Sequence, residues 1–133
     1  LEIVINGGID SVGTAKNHLE YVDGIMLGRA AYQTPWVLSQ CQQQLFEKPA
    51  VTRPEDVIWP MTDYLERQVK KGTAVKHISR HLLGLFQGKP GAKAWRRYLS
   101  ENAYKDDNNT KLLLQALAVM KSAGGDVKTT VAQ

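Results

Sequence analysis

Residues 1–32 change periodicity twice, and few folds accommodate that change. Leu1, Ile3, Val4 and Ile5 form an apolar run too short for a helix, and it stops at Asn6-Gly7-Gly8, where the backbone is free to turn sharply. Ser11 then caps an expected helix whose Val12, Ala15, Leu19 and Val22 recur at helical spacing. A second apolar run, Gly24-Ile25-Met26-Leu27, closes on Gly28-Arg29. A five-residue strand and an eleven-residue helix each cover about 16 Å, so the helix returns the chain beside its starting point. The pattern predicts one βαβ unit with two parallel, buried strands.

Both strands of such a unit end on the same edge of the sheet. The peptide N–H groups of Asn6-Gly7-Gly8 and Gly28-Arg29 can therefore converge on one anion, which a Cβ at the glycines would hold away. The turn into Ala30 adds the partial charge of a helix start. This matches the phosphate site of many (β/α)8 barrels, built from the loops after strands seven and eight. A plain tight turn accounts for the same glycines. Parallel strands are covered on both faces, and two strands do not make such a sheet, so the 133 residues are expected to be the C-terminal piece of a longer protein.

Pro35 opens a further helix, with Trp36, Val37, Leu38, Cys41, Leu45 and Phe46 as its apolar stripe and Pro49 as its end. Residues 47–52 read as a linker, after which the pattern is helical throughout. Thr52-Arg53-Pro54-Glu55 has the form of a capping box, with Val57, Ile58, Met61, Leu65 and Val69 inward and Gly72 as the stop. Thr73 is expected to cap a second helix, with Val75, Ile78, Leu82, Leu85 and Phe86 inward, ending at Gly88. The Lys89-Pro90-Gly91 turn leads to a third, with Trp95, Tyr98, Leu99 and Asn102 on one side. Asn108 or Asn109 opens a fourth, with Leu113, Leu117 and Met120 at helical spacing before Gly124-Gly125. The expected organisation is a βαβα segment over 1–48, a four-helix bundle over 53–125 and a flexible tail over 126–133.

Charge divides the chain in the same way. The net charge is +4, but residues 1–50 carry three Lys/Arg against five Asp/Glu, and residues 51–133 carry fourteen against eight. Nine basic residues and no acidic one separate Glu66 from Glu101. Among them Lys89, Lys93, Arg96 and Arg97 are expected on one face of the third helix, opposite Trp95 and Leu99, with Lys76 and Arg80 extending the stripe from the helix before it. A stripe on two adjoining helices suits a phosphate backbone; a solvated surface is the simpler alternative.

Other chemistry finds little support. His77 and His81 have metal-ligand spacing, but no Glu follows His77 and the surrounding cations repel a metal, so no metal site is assigned. Cys41 lies in an apolar stripe without a basic neighbour, which suits a packed thiol better than a nucleophile. A single cysteine excludes an internal disulfide and suits a reducing cytoplasm. No apolar run approaches the length of a membrane span, and no protein partner is evident.

Three stretches carry a resemblance: Asn6-Gly7-Gly8-Ile9, the segment from Asp23 to Gln33 (DGIMLGRAAYQ), and above all the segment from His81 to Ser100 (HLLGLFQGKPGAKAWRRYLS). Together they resemble the C-terminal half of the flavin-dependent tRNA-dihydrouridine synthases, and the likeness extends to about Ala123. The resemblance implies the end of an FMN-binding TIM barrel followed by a helical tRNA-binding domain, in a monomeric cytoplasmic enzyme. It implies reduction of the C5–C6 bond of tRNA D-loop uridines, with hydride from FMN that NADPH has reduced. On that basis Asn6, Gly7, Gly8, Gly28 and Arg29 hold the FMN phosphate, and Lys93 and Arg96 contact tRNA, supported by Arg97, Lys89, Arg80 and Lys76. No residue here is assigned a catalytic role. The family's proton donor is a cysteine in the preceding barrel half, and Cys41 does not lie in that motif. A helical nucleic-acid-binding module without enzymatic function, and a flavin barrel acting on a small molecule, are the competing readings.

Overall fold

The computed structural model describes residues 1–132, with side chains described through residue 124. The tail expected to be flexible at 126–133 lies outside the residues whose side chains are described. The chain is mainly helical with one two-stranded parallel sheet, and it divides into two compact units, Leu1–Thr52 and Arg53–Gln133.

In the first unit, strand β1 (Val4–Asn6) pairs in parallel with β2 (Gly24–Met26) in the register Val4 to Gly24, Ile5 to Ile25 and Asn6 to Met26. Gly24 is required by this pairing, because a Cβ there would stand 3.2 Å from a methyl of Val4. Between the strands, helix α1 (Val12–Leu19) starts as expected at Ser11, whose hydroxyl accepts from the Thr14 N–H at 3.1 Å. The helix is eight residues long and stops before Val22; the Tyr21 and Val22 N–H groups turn back onto the His18 carbonyl. Short helix α2 (Arg29–Gln33) and helix α3 (Trp36–Leu45) complete the unit, with Pro35 at the start of α3.

Burial departs from expectation here. Leu1 lies outside the strand, and Ile3, Val4 and Met26 are exposed, as are Leu38 and Phe46 of the α3 stripe. The sheet has two strands and little to cover them, so Ile9, Ala15, Val37 and Cys41 are the unit's buried apolar residues.

The second unit holds the larger core. A 3-10 turn (Pro54–Val57) leads into α4 (Ile58–Lys70), followed by α5 (Lys76–Ser79), a second 3-10 turn (Arg80–Leu82), α6 (Ala92–Asn102) and α7 (Leu112–Ala132). The expected capping box does not form. Arg53 occupies the cap position and its guanidinium pairs with Asp56 at 2.9 Å instead. The helix expected over 73–88 is likewise replaced by the four residues of α5, the 3-10 turn and further turns to Gly88, with no side-chain cap from Thr73. Its inward residues were nonetheless legible: Val75, Leu85 and Phe86 are buried, and Ile78 and Leu82 pack against the same core.

Trp95 anchors the broken segment. Its indole N–H donates to the Leu82 carbonyl at 2.9 Å, and its ring meets Phe86 edge-on with centroids 4.7 Å apart. The same carbonyl accepts the Leu85 N–H at 3.2 Å in a tight turn, so the indole serves as its second donor and ties the turn to α6. The anchor is surrounded by Ile58, Leu65, Leu99, Leu112, Leu113 and Ala116.

Gly124-Gly125 does not end α7. Gly124 is buried, and a Cβ on it would lie 3.1 Å from the Pro90 carbonyl oxygen; one on Gly91, at φ +82°, would lie 2.4 Å from that of Met120. The two glycines let the 89–91 turn lie against α7. Asn109 opens the helix by accepting the Lys111 N–H at 3.2 Å.

Candidate functional site

The parallel register fixes the first site. Asn6 and Met26 are partners at the end of the sheet, so Gly7-Gly8 and Leu27-Gly28 leave the same edge. Asn6, Gly7, Gly8, Gly28 and Arg29 line one cavity of about 630 Å³. Gly7 and Gly8 have φ of +102° and +70°, values that L side chains rarely adopt, and the positions a Cβ would take are open. The loop thus presents bare backbone to the cavity, as close approach of an anion requires. Arg29 is exposed and has no ion pair among the described residues. Helix α2 has only five residues, so the helix-start field expected there is small and Arg29 is the main source of positive charge.

Three polar residues of this cavity were not assigned to the site from the sequence: Asp10, Gln33 and Thr34. The Asp10 carboxylate accepts from the Thr14 hydroxyl at 3.4 Å, and the Thr34 hydroxyl donates to the Ala30 carbonyl, leaving the exposed Gln33 amide as the neutral polar group of the rim. Asp10 and Thr34 lie outside the glycine motifs and Gln33 closes the second of them, so their convergence depends on how the chain runs into α1 and out of α2.

Cys41 is buried in α3, and burial pushes its thiol pKa up from the ordinary value. A protonated, packed thiol is a poor nucleophile.

In the second unit the expected basic residues fall into three settings. On α6, Lys93 is exposed and has no ion pair among the described residues, Arg96 donates to the Gln87 amide oxygen at 3.2 Å, and Arg97 pairs with Glu101 at 2.9 Å, which holds its pKa up. Arg97 therefore already has an acidic partner on its own helix. Lys89 lies in the turn before α6, not on its face, because the helix begins at Ala92 after a left-handed Gly91.

Lys76 and Arg80 form the third setting. They line a groove of about 170 Å³ together with Tyr104, a residue beyond the end of α6 that helical periodicity gave no means of finding. The Lys76 ammonium is 3.5 Å from Asp107 and 5.7 Å from the centre of the Tyr104 ring. His77 lies in α5 and His81 in the 3-10 turn after it, its Nε2 accepting from Arg80 Nε at 3.3 Å, and among the described residues no group of three or more His, Cys, Asp or Glu converges as a metal site would require.

Comparison with known proteins bears on both units at once. Residues 1–123 match the dihydrouridine synthase family. The chain belongs to that family. Its curated relatives include proteins named tRNA-dihydrouridine(20/20a) synthase from Vibrio cholerae, 48% identical over 120 residues, and from Escherichia coli K12, 46% identical over 121. A third, from Yersinia pestis, is 43% identical over 131 residues. These alignments cover 89%, 90% and 94% of this chain and 36%, 35% and 38% of the relatives, so the chain spans little more than a third of the proteins it matches. No described helix is long and apolar enough to cross a membrane.

Proposed function

We propose that this chain serves as the C-terminal part of an NADPH- and FMN-dependent reductase that converts uridine to 5,6-dihydrouridine in the D-loop of tRNA, at positions 20 and 20a. The first unit holds the flavin phosphate and ends a TIM barrel; the second is a helical tRNA-binding domain. The observation that carries the cofactor assignment is the shared sheet edge, where two glycine loops and Arg29 border a single cavity.

The residues present fit a phosphate monoester. Gly7 and Gly8 leave the approach to the backbone open, Asn6 and Gln33 offer amide donors, and Arg29 offers a guanidinium able to bind two oxygens. FMN, when bound, supplies the hydride for the uracil ring. The chain's own residues grip its phosphate and thereby fix the flavin's position, while the groups around the isoalloxazine and the proton donor belong to other parts of the enzyme. Cys41 takes no part, being buried with its pKa raised.

The second unit has the charge for RNA, fourteen Lys/Arg against eight Asp/Glu over residues 51–133. That excess is shared by the reading of a nucleic-acid-binding module without catalysis. The family match over 1–123 spans both units and favours the enzyme.

A chimaera tests the proposal. This chain replaces the matching segment of the Escherichia coli relative, and dihydrouridine is measured in tRNA from cells lacking the native enzyme. Restored dihydrouridine is expected. A folded, flavin-loaded chimaera that leaves tRNA unmodified would overturn the assignment.

A further inference from the structure

Tyr104 is 69% exposed although it sits in a formed groove. The groove's inner wall is made by Leu83, Leu99, Ala103 and the buried Ser79, and its rim carries Lys76, Arg80 and the Ser100 hydroxyl. Its walls are tied together: the Val75 N–H donates to the Asp107 carbonyl at 2.9 Å, and the Asp107 carboxylate holds the Lys76 ammonium near the Tyr104 ring. An exposed tyrosine alone is an ordinary surface feature. An exposed aromatic ring, a largely apolar slot and the Arg80 guanidinium in one frame match the chemistry of a nucleotide, whose base is flat and apolar on its faces and whose backbone is anionic.

We propose that this groove receives one unpaired nucleobase of an RNA strand, stacked on Tyr104, with Arg80 at the adjoining phosphate. The inference rests on the second unit being a tRNA-binding domain and adds how it distinguishes a single-stranded segment from a duplex, whose stacked bases are not available to Tyr104. Asp107 repels a phosphate, so the backbone passes on the Arg80 side, one turn further along the chain. Lys76, neutralised by Asp107 at 3.5 Å, orients the ring and contributes little to the phosphate contact. Arg80 has guanidinium donors beyond the Nε–H that meets His81. An acidic peptide would satisfy Arg80 but leave the aromatic face and apolar slot unused.

The test uses the 133-residue chain and unmodified tRNA, with binding followed by fluorescence anisotropy at several salt concentrations. Tyr104→Ala is expected to weaken binding by about 5- to 150-fold, the range for loss of one stacked base, without changing the salt slope. Tyr104→Phe should bind like the unaltered chain, and Arg80→Ala should flatten the log–log slope by about 0.7 to 0.9. Irradiating the unaltered chain with 5-iodouridine-substituted tRNA should give an adduct on the peptide containing Tyr104, a readout that needs no variant to fold. Unchanged affinity in Tyr104→Ala, or an adduct confined to other aromatics, overturns the stacking proposal while leaving the tRNA assignment in place. Failure of the unaltered chain to bind tRNA overturns both.

Discussion

Gly7 and Gly8 adopt positive φ with open space where a side chain would project, so their role is set by the backbone they leave bare. Gly8→Val in the chimaera should force the loop to relax from φ +70°, at a cost of about 1–3 kcal/mol, and shift the N–H donors facing the phosphate. Equilibrium titration should show FMN weakened by that order and riboflavin, which has no phosphate, affected much less. Equal losses would mean that the sheet edge itself has come apart. Gly28 is different: a Cβ there would meet only Met26, at 3.9 Å, so its contribution lies in the room it leaves. Cys41 makes a separate residue-scale prediction. Its folded pKa is raised above the unfolded value by burial, so the favoured thiol form persists as pH rises, and the associated stability is present below the unfolded pKa and lost as pH passes through the folded one. A thiol reagent at mildly alkaline pH should therefore react slowly with the native chain and quickly after denaturation. Rapid labelling of the native chain would show that Cys41 is neither packed nor shielded.

Between α6 and α7 the decisive contact is made by a turn. Gly91 needs both a left-handed backbone and the absence of a Cβ, which would stand 2.4 Å from the Met120 oxygen; Gly88 has the same φ of +82° with nothing within 4 Å. Gly88→Ala should cost about 1–2 kcal/mol, the left-handed penalty alone. Gly91→Ala should cost clearly more, because the turn must also move off α7. Thermal unfolding of the two variants separates the terms, and equal losses would argue against the close approach. The same elements show how far periodicity carried. It located α4, α6 and α7 and most inward residues of the first two, because amphipathic spacing is set by local sequence, but in α7 it missed the buried Leu112 and Ala116 beside Leu113 and Met120. It failed at 73–88, where the same apolar spacing is satisfied by α5 and a series of turns. The bond that holds those turns against α6, Trp95 to the Leu82 carbonyl, joins residues thirteen apart. Gly124 was misread for a related reason: glycine in isolation signals a helix end, whereas here it admits a neighbouring backbone.

For the molecule as a whole, the excess positive charge of the second unit predicts salt-dependent RNA binding. Lys93 is exposed, and Arg96 is held only by the neutral Gln87. Replacing both with alanine should flatten the log–log salt dependence of tRNA binding by about 1–2 units, with helicity retained because Trp95 and Leu99 keep the inner face. An unaltered slope with intact helices would make this surface a solubilising face. Arg97 should contribute less, since Glu101 competes for it at 2.9 Å. The chain alone should not bind FMN at micromolar concentration, because its loops offer a phosphate grip without walls for the ring system; flavin fluorescence checks this. The sequence by itself determined the parallel pair, the glycine loops at its edge, the helical second half and the family, since strand-end glycines, helical spacing and motif order are local properties of the chain. Only the tertiary structure decided that Lys89 leaves the α6 face, that Asp10 and Gln33 join the glycine cavity, and that Tyr104 stands beside Lys76 and Arg80. Each depends on where a helix starts or stops, or on a contact between residues distant in sequence, and neither is encoded in the spacing of neighbouring side chains.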